Sequence, residues 1–257
     1  MPDPRPASHP HWWTDVHRSP SVNRRLGACL ALIAGATNAG GFLAIGQYTS
    51  HMTGLLSAVA DHLVLGQLTL VAASLAAIAA FIGGAMTTAL MVNWGLRRQL
   101  RSAFARPLAL ETSLLLVFGL FGAALQLHAE LFAPLTVLLL CYIMGLQNAV
   151  ITKVSQAEIR TTHVTGLVTD IGIELGKLVY LNRSPAPTRV QANRHKLGVH
   201  LSLVAAFLVG AVAGALGFKH WGYITTVPLA ALLGLLVSGP LLYDLRHGRV
   251  APPVPKD

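Results

Sequence analysis

The composition and hydropathy pattern of this chain indicate an all-α protein that crosses a membrane several times. Of its 257 residues, 53% are hydrophobic and only 11% are charged, whereas soluble domains carry about 25% charged residues. The apolar residues stand in uninterrupted blocks close to the roughly 20 residues that span a bilayer. Related short motifs also recur in the two halves of the chain. We therefore expect the lipid bilayer to be a main partner.

Six apolar blocks have the length of a spanning helix. Two further segments have a helical pattern but are too short or too charged to cross alone, so we predict half-length or re-entrant helices there. The predicted spans are residues 26–46, 68–92, 107–127, 131–151, 197–218 and 223–243, and the short helices are residues 53–66 and 165–181.

Basic residues flank these blocks on one side of the predicted membrane. Arg24 and Arg25 precede the first block, and four arginines join the second block to the third. More Lys and Arg residues join the fourth block to the fifth and follow the sixth, whereas Lys219 is the only one on the other side. By the positive-inside rule, the polar tails at residues 1–25 and 244–257 are cytoplasmic. The rule also accounts for the net charge of +9, so we expect no nucleic-acid partner.

Internal similarity divides the chain into two units, residues 26–127 and 131–243. Each unit holds three predicted spans, an odd number, so the second must be inverted in the membrane relative to the first. Many secondary transporters have this plan. The matched stretches are Thr49-Ser50-His51-Met52-Thr53-Gly54-Leu55 with Thr161-Thr162-His163-Val164-Thr165-Gly166-Leu167, Gly35-Ala36-Thr37-Asn38-Ala39 with Gly145-Leu146-Gln147-Asn148-Ala149, and Ala79-Ala80-Phe81 and Gly84 with Ala205-Ala206-Phe207 and Gly210.

Each short helix begins with a Thr-Gly pair. We expect Thr53 and Thr165 to cap free backbone N–H groups, while Gly54 and Gly166 leave the backbone approachable. Helix starts carry partial positive charge, so starts that dip into the membrane would face an anionic or carbonyl-bearing ligand.

Polar residues near the ends of the first and fourth spans allow two interpretations. Asn38 and Asn148 each stand beside glycine, and amides in lipid must be paired. They either hold helices together or line a cavity. Their repetition in both units, beside the Thr-Gly helix starts, is the argument for a site that also includes Gln147.

Glu111 is the only carboxylate well inside a predicted span, which makes it a functional candidate. It stands a few residues after Arg106. A proton carrier and a partner for the Arg106 side chain are both consistent with that position.

Charged residues mark one stripe of the second short helix. Asp170, Glu174 and Lys177 fit an amphipathic helix on the cytoplasmic surface with Glu174 and Lys177 paired. Asp170, about one turn from Thr165, is the candidate for the site. His51 and His163 are either proton switches or hydrogen-bond partners of the neighbouring turn.

The chain resembles the YoaK-type family of bacterial multi-pass membrane proteins of unknown function. The resemblance covers roughly residues 26–243 and is carried by His51-Met52-Thr53-Gly54, Gly145-Leu146-Gln147-Asn148-Ala149, and Arg160-Thr161-Thr162-His163-Val164-Thr165-Gly166 with Thr169-Asp170. It implies a bacterial cytoplasmic membrane and a transporter-like role without a substrate. The family often has Asp at the position of Asn38, so the resemblance does not extend to proton coupling there.

Three functions follow as hypotheses. The first is a small-molecule secondary transporter or permease with an unknown ligand between the Thr-Gly helix starts. The second is a membrane enzyme for a lipid-soluble substrate, and the third is a non-catalytic scaffold or homo-oligomer packed through small-residue stripes. The two-unit plan favours the first hypothesis, so we expect a protein that is not an enzyme, and because no phosphate loop, zinc pattern or haem motif is present we expect no metal or cofactor. The candidate binding residues are Asn38, His51, Thr53, Gly54, Gln147, Asn148, His163, Thr165, Gly166 and Asp170, with Glu111 as a candidate proton carrier.

Overall fold

The computed structural model describes residues 12–16, 20–126, 129–155, 164–182 and 189–247. Within these ranges the secondary structure is helical and no residue belongs to a strand. A 3₁₀ turn at Gly222–Thr225 joins the last two helices. The α-helices are α1 (Pro20–Ile45), α2 (Met52–Val64), α3 (Leu68–Arg97), α4 (Ala105–Gln126), α5 (Ala129–Val154), α6 (Val164–Val179), α7 (Arg194–Trp221) and α8 (Thr226–His247).

Four stretches of the described helices are long and apolar enough to cross a membrane. The last stretch has 54 residues and contains both α7 and α8, so it is far longer than a hydrocarbon core of about 30 Å. The prediction of an all-α protein with apolar helices of spanning length is confirmed. The four stretches are Ser21–Ile45, Leu68–Arg97, Ala133–Val154 and Arg194–His247.

The predicted elements and the observed helices agree apart from their ends. Each of the six predicted spans overlaps one long helix, and both predicted short segments are helical. The largest differences are at α1, which begins at Pro20 instead of the predicted residue 26, and at α3, which continues from the predicted end at residue 92 to Arg97. Both additional segments contain arginine, so hydropathy alone ends the predicted spans short of the helix ends.

Helices α1 and α7 lie side by side and run in the same direction. A Cβ added at Gly210 would collide with the carbonyl of Leu32, and one added at Gly214 would collide with the carbonyl of Ala36. Because no side chain fits between them, the two backbones are in direct contact. Close backbone approach at small residues is a common way for helices to pack in membranes.

Helices α3 and α5 pack in the same manner. A Cβ added at Gly84 would collide with the carbonyl of Tyr142, and one added at Gly145 would collide with the carbonyl of Phe81. The hydroxyl of Thr88 donates to the carbonyl of Leu146 at 2.9 Å. The sequence motifs align Gly84 and Gly145 with Gly210 and Gly35, and a Cβ at Gly35 would collide with the carbonyl of Phe207.

Contacts between helix ends place most of the described Lys and Arg residues at one end of the bundle, here called the basic end. Asp15, before α1, pairs with Arg101, before α4, at 2.7 Å. Arg24 lies 3.0 Å from Nε2 of His195, in the first turn of α7. Helices α1, α4 and α7 therefore all start at the basic end. The other end is called the opposite end.

A stretch of the N-terminal tail packs against the basic end. The ring of Trp12 covers Gly239 of α8, where an added Cβ would collide with it. Thr14 donates to the carbonyl of Leu236 at 2.9 Å. The Arg101 guanidinium lies 4.7 Å from the ring centre of Tyr243 and is buried together with Asp15.

Candidate functional site

The chain turns back into the bundle after α1. Gly46 follows the helix with a φ of +71°, which glycine adopts without strain. The backbone N–H and the hydroxyl of Ser50 then donate to Oδ1 of Asn38 at 3.1 and 3.0 Å. Asn38 lies about 10 Å along the helix axis from Ile45. Helix α2 therefore starts beside α1 at the level of Asn38, with His51 and Thr53 exposed.

The start of α2 differs from its predicted form. His51 is the residue before the helix, its side chain makes no capping hydrogen bond, and Thr53 is the exposed second residue of the helix. The prediction that Thr53 caps α2 is wrong, because the helix starts one residue earlier. The His51 imidazole lies over Gly54, where an added Cβ would be 2.6 Å from Nδ1. Gly54 thus accommodates the His51 ring.

In α5, Gln147 and Asn148 are both buried. Nδ2 of Asn148 donates to the carbonyl of Met144 at 2.7 Å. Gln147 is fully buried, and neither atom of its amide has a hydrogen-bond partner in the described part of the chain. A buried polar group left without a partner costs about 1–3 kcal/mol. Gln147 is therefore the predicted site residue with the clearest unused hydrogen-bonding capacity.

Thr37 is a polar residue of the same kind that the sequence analysis did not select. Its hydroxyl is buried and has no partner among the described residues. Thr37 lies one turn before Gly41, which contacts Leu140 of α5, so Thr37 is on the α5 side of α1. The motif alignment pairs Thr37 with Gln147, and that pairing was the signal that could have identified it.

Glu111 is also fully buried in α4, and neither carboxyl oxygen has a hydrogen-bond partner within the described ranges. Arg106 instead donates from Nε to the hydroxyl of Ser102 at 3.1 Å and lies 4.8 Å from the ring centre of Trp94. The alternative in which Glu111 pairs with Arg106 is therefore wrong. A carboxyl group without a partner inside a helix bundle is expensive when charged.

Asp170 lies apart from the start of α2, next to the first turns of α7. Its carboxylate is 3.4 Å from Nζ of Lys196 and 3.8 Å from Nδ1 of His200. Since α7 starts at the basic end, Asp170 is at that end, whereas α2 lies at the opposite end. The structure thus does not bring Asp170 together with Asn38 and Ser50.

Glu174, one turn after Asp170, is buried and ties α6 to the start of α7. It accepts from Nζ of Lys177 at 2.8 Å and from the backbone N–H of Asn193 at 2.6 Å. These hydrogen bonds, the one from Lys177 first, hold the pKa of Glu174 below its usual value. The predicted pair of Glu174 and Lys177 is confirmed.

The structure describes α6 from Val164, the first residue of the helix, so Thr165 is its exposed second residue. Among the described residues, no atom lies within 4 Å of a Cβ added at Gly166, whereas one added at Gly54 would meet the His51 ring. His163, the predicted counterpart of His51, lies outside the described residues.

The family model described as "Protein of unknown function (DUF1275)" matches residues 26–239, which is most of the chain. The chain belongs to this family. A curated relative, the UPF0700 transmembrane protein YoaK of Bacillus subtilis (strain 168), is 28% identical over 217 residues, covering 82% of this chain and 92% of the relative. No solved structure matches. The predicted resemblance to the YoaK-type family is confirmed, and the chain is a membrane protein of a family of unknown function.

This DUF1275 protein has a cavity of about 590 Å³ at the opposite end, between α2, α3 and the start of α5. None of the predicted site residues lines it. Val137 and Leu138 line the cavity and also pack on a small apolar cluster below it. The cluster consists of Leu55, Ala77 and Cys141, which adjoin the cavity through Val137 and Leu138 without lining it.

Within the described parts of α1, α4 and α5, three buried side chains have polar groups without a hydrogen-bond partner: the hydroxyl of Thr37, the amide of Gln147 and the carboxyl of Glu111. They lie on three helices that contribute side chains to one apolar core. Among the described residues the only buried Lys or Arg is Arg101, and it is paired with Asp15. The arrangement can donate and accept hydrogen bonds but supplies no free positive charge.

Proposed function

We propose that this DUF1275 protein is a small-molecule secondary transporter or permease of unknown substrate. In this proposal six helices cross a bacterial inner membrane as two inverted units, residues 26–127 and 131–243, with both tails cytoplasmic. The close approaches of α1 to α7 and of α3 to α5 at aligned glycines support the two-unit plan. The basic residues at one end of the bundle support the orientation.

The observation that carries the proposal is the set of buried polar groups without partners in α1, α4 and α5. The unpaired polar groups of Thr37, Gln147 and Glu111 each lower the stability of the folded bundle. Apolar side chains of the same size would pack there without burying a polar group that lacks a partner. Groups of this kind are explained by a ligand that pairs with them during part of a transport cycle. Asn38 and Asn148, beside two of them, complete the centre of the proposed site.

The short-helix starts form the rim of the proposed site. His51, Thr53 and Gly54 adjoin Asn38 through Ser50, and Thr165 and Gly166 hold the corresponding place in the second unit. The first N–H groups of a helix favour a carbonyl or anionic oxygen. A carbonyl-bearing ligand fits this rim together with the Glu111 carboxyl better than an anion does, because Glu111 would repel a negative charge.

Replacing Gln147 with leucine separates a ligand-binding role from a structural one. If the amide serves a ligand, Gln147→Leu keeps or raises stability by up to about 2 kcal/mol, because an unpaired buried amide is removed, while uptake is lost. The measurements are thermal unfolding of the purified protein and uptake by proteoliposomes of compounds first found by thermal-shift screening. A loss of stability with unchanged uptake would instead assign Gln147 to a bond with structural water.

The two other hypotheses have less support. An enzyme at the basic end would use His163, Asp170 and Glu174 as acid–base groups, yet both carboxylates are engaged with Lys196, Lys177 or the backbone. A scaffold joined through small-residue stripes would need glycines on an outer face. Gly84 and Gly210 instead serve contacts within the chain.

A further inference from the structure

The two short helices and the long helices beside them contain a layer of aligned residues whose chemistry differs completely between the two ends. Extending the match of Thr53 with Thr165 along α2 and α6, and that of Phe81 with Phe207 along α3 and α7, gives four aligned pairs. The pairs are Ala58 with Asp170, His62 with Glu174, Leu70 with Lys196, and Ser74 with His200.

At the opposite end, all four residues of the layer line the 590 Å³ cavity. Ala58 and Ser74 are small, so their side chains leave space between α2 and α3. His62 bonds to Gln67, at the turn after α2, at 2.9 Å. Among the described residues, no hydrogen bond or ion pair joins the side chains of α2 to those of α3.

At the basic end, the four aligned residues fill the same place with ionic and hydrogen-bonding contacts. Asp170 reaches Lys196 and His200 of α7 at 3.4 and 3.8 Å. Glu174 accepts from the backbone N–H of Asn193, directly before α7, at 2.6 Å. These contacts, here called the ties, join the side chains of Asp170 and Glu174 to two side chains of α7 and to one backbone N–H directly before α7. The ammonium group of Lys177 pairs with the carboxylate of Glu174 at 2.8 Å.

Below both layers the packing is alike. Next to the cavity, Leu55, Ala77 and Cys141 form a buried apolar cluster on which the cavity-lining residues Val137 and Leu138 pack. The residues aligned with this cluster are also buried, so the two ends differ in the layer itself and share the apolar packing beside it. The aligned residues are Leu167, Leu203 and Ala31.

We propose that the two layers are the gates of the transport path, and that this structure is the state open at the opposite end and closed at the basic end. The inference rests on the proposed transport function. In inverted-repeat transporters the two units exchange conformations as access alternates, so the layer at one end opens while the aligned layer closes. Partly exposed ion pairs such as that of Asp170 with Lys196 are weak enough to break in each cycle.

Cysteine accessibility at two aligned positions tests the gates without any ligand. Ala73 lines the cavity in α3, and Val199 is the aligned, half-buried residue of α7. Ala73→Cys and Val199→Cys are each introduced after Cys29 and Cys141 are replaced by alanine, and a membrane-impermeant maleimide is applied from either side of reconstituted vesicles. With the ties intact, we expect Val199→Cys to react at least about tenfold more slowly than Ala73→Cys, because a minor state is at most about 10% populated.

Removing the ties should reverse this order. Asp170→Asn and Glu174→Gln keep the side-chain shapes while removing the charges, and Lys196→Met provides a milder variant at an exposed partner if the others fold poorly. We expect each to speed labelling of Val199→Cys and to slow labelling of Ala73→Cys. Asp61→Asn, on the exposed side of α2, is the control and should change neither rate.

Two results would overturn the inference. Unchanged labelling rates in the Asp170→Asn, Glu174→Gln and Lys196→Met proteins would show that these contacts do not restrict access at the basic end. Faster labelling of Val199→Cys without slower labelling of Ala73→Cys would show local loosening of α6 with no coupling between the layers. Reciprocal changes in a protein that transports no compound would support the coupled gates while removing the transport function, so the two proposals fail separately.

Discussion

Aligned positions hold the same residue type in the helix pairs and different residue types in the short-helix layers. In the pairs α1 with α7 and α3 with α5, glycine stands at Gly84 and at the aligned Gly210, because both meet a backbone carbonyl. In the layers, Ala58 is small and apolar, whereas the aligned Asp170 carries a carboxylate. Contacts between backbones admit only one residue type, whereas a space between side chains can be left open or filled with charges. The difference separates positions that set the architecture from positions that are free to differ between the two ends.

The largest expected effect comes from the helix pairs. Gly84→Ala places a methyl group against the carbonyl of Tyr142, which cannot move without shifting α5, so we expect a loss of about 3 kcal/mol or more. Gly210→Ala should cost a similar amount through Leu32. The check is the free energy of unfolding in detergent.

The neighbouring glycine is a matched control for this test. A Cβ at Gly83 would lie 3.8 Å from the ring of Tyr142, an ordinary contact, so Gly83→Ala should be neutral or stabilise the helix by up to about 1 kcal/mol. Equal effects of Gly83→Ala and Gly84→Ala would contradict the direct backbone contact.

A second, smaller effect is a loss of stability at acidic pH that we expect in α6 and not in α2. The pKa of Glu174 is lowered in the folded chain, so its contribution to stability is fully present above the unfolded value of about 4.5. That contribution is lost as the pH falls through the lower folded value. We expect hydrogen exchange of α6 to accelerate over this acidic window, while the exchange of α2 does not show this step.

Glu174→Gln removes the titrating group and should therefore remove the acid step from α6. An acid step of the same size in the Glu174→Gln protein would assign the loss of protection to another carboxylate.

Much of this architecture could be predicted from the sequence, because length and hydropathy are local properties. The apolar blocks predict α1, α3, α4, α5, α7 and α8, and the Thr-Gly motifs predict where the short helices lie. The order of motifs also anticipates which glycines are equivalent. What hydropathy cannot give is the partner of each helix, since the collision of Gly84 with Tyr142 depends on residues far apart in the chain.

The candidate site was predicted less completely, because burial and pairing depend on neighbours that the sequence does not reveal. Asn38 and Gln147 can be predicted from their amides in apolar blocks, whereas the burial of the Thr37 hydroxyl without a partner is visible only in the folded chain. Arg106 stands near Glu111 in sequence but turns to Ser102 and Trp94. Asp170 was grouped with Thr165 because of its spacing, although its partners are residues of α7.

The smallest expected effect concerns the cavity layer. Ala58→Leu adds three carbon atoms beside the cavity and should raise the free energy of unfolding by about 1 kcal/mol, since each newly buried methylene contributes about 0.8 kcal/mol and ordering the side chain offsets part of that gain. Ala60→Leu, on an exposed position of the same helix, is the control. A gain of the same size at both positions would indicate a general effect of added apolar surface on α2 and no filling of the cavity.

The buried pair of Asp15 and Arg101 also has a consequence for how the chain is made. The docked stretch, residues 12–16, contacts Leu236, Gly239 and Tyr243, and Thr14 and its partner Leu236 are 222 residues apart in the chain. The surface that this stretch packs on therefore exists only after α8 has been synthesised and inserted, so residues 12–16 cannot dock before then. Resistance of residues 12–16 to added protease would then report that the whole bundle has been completed.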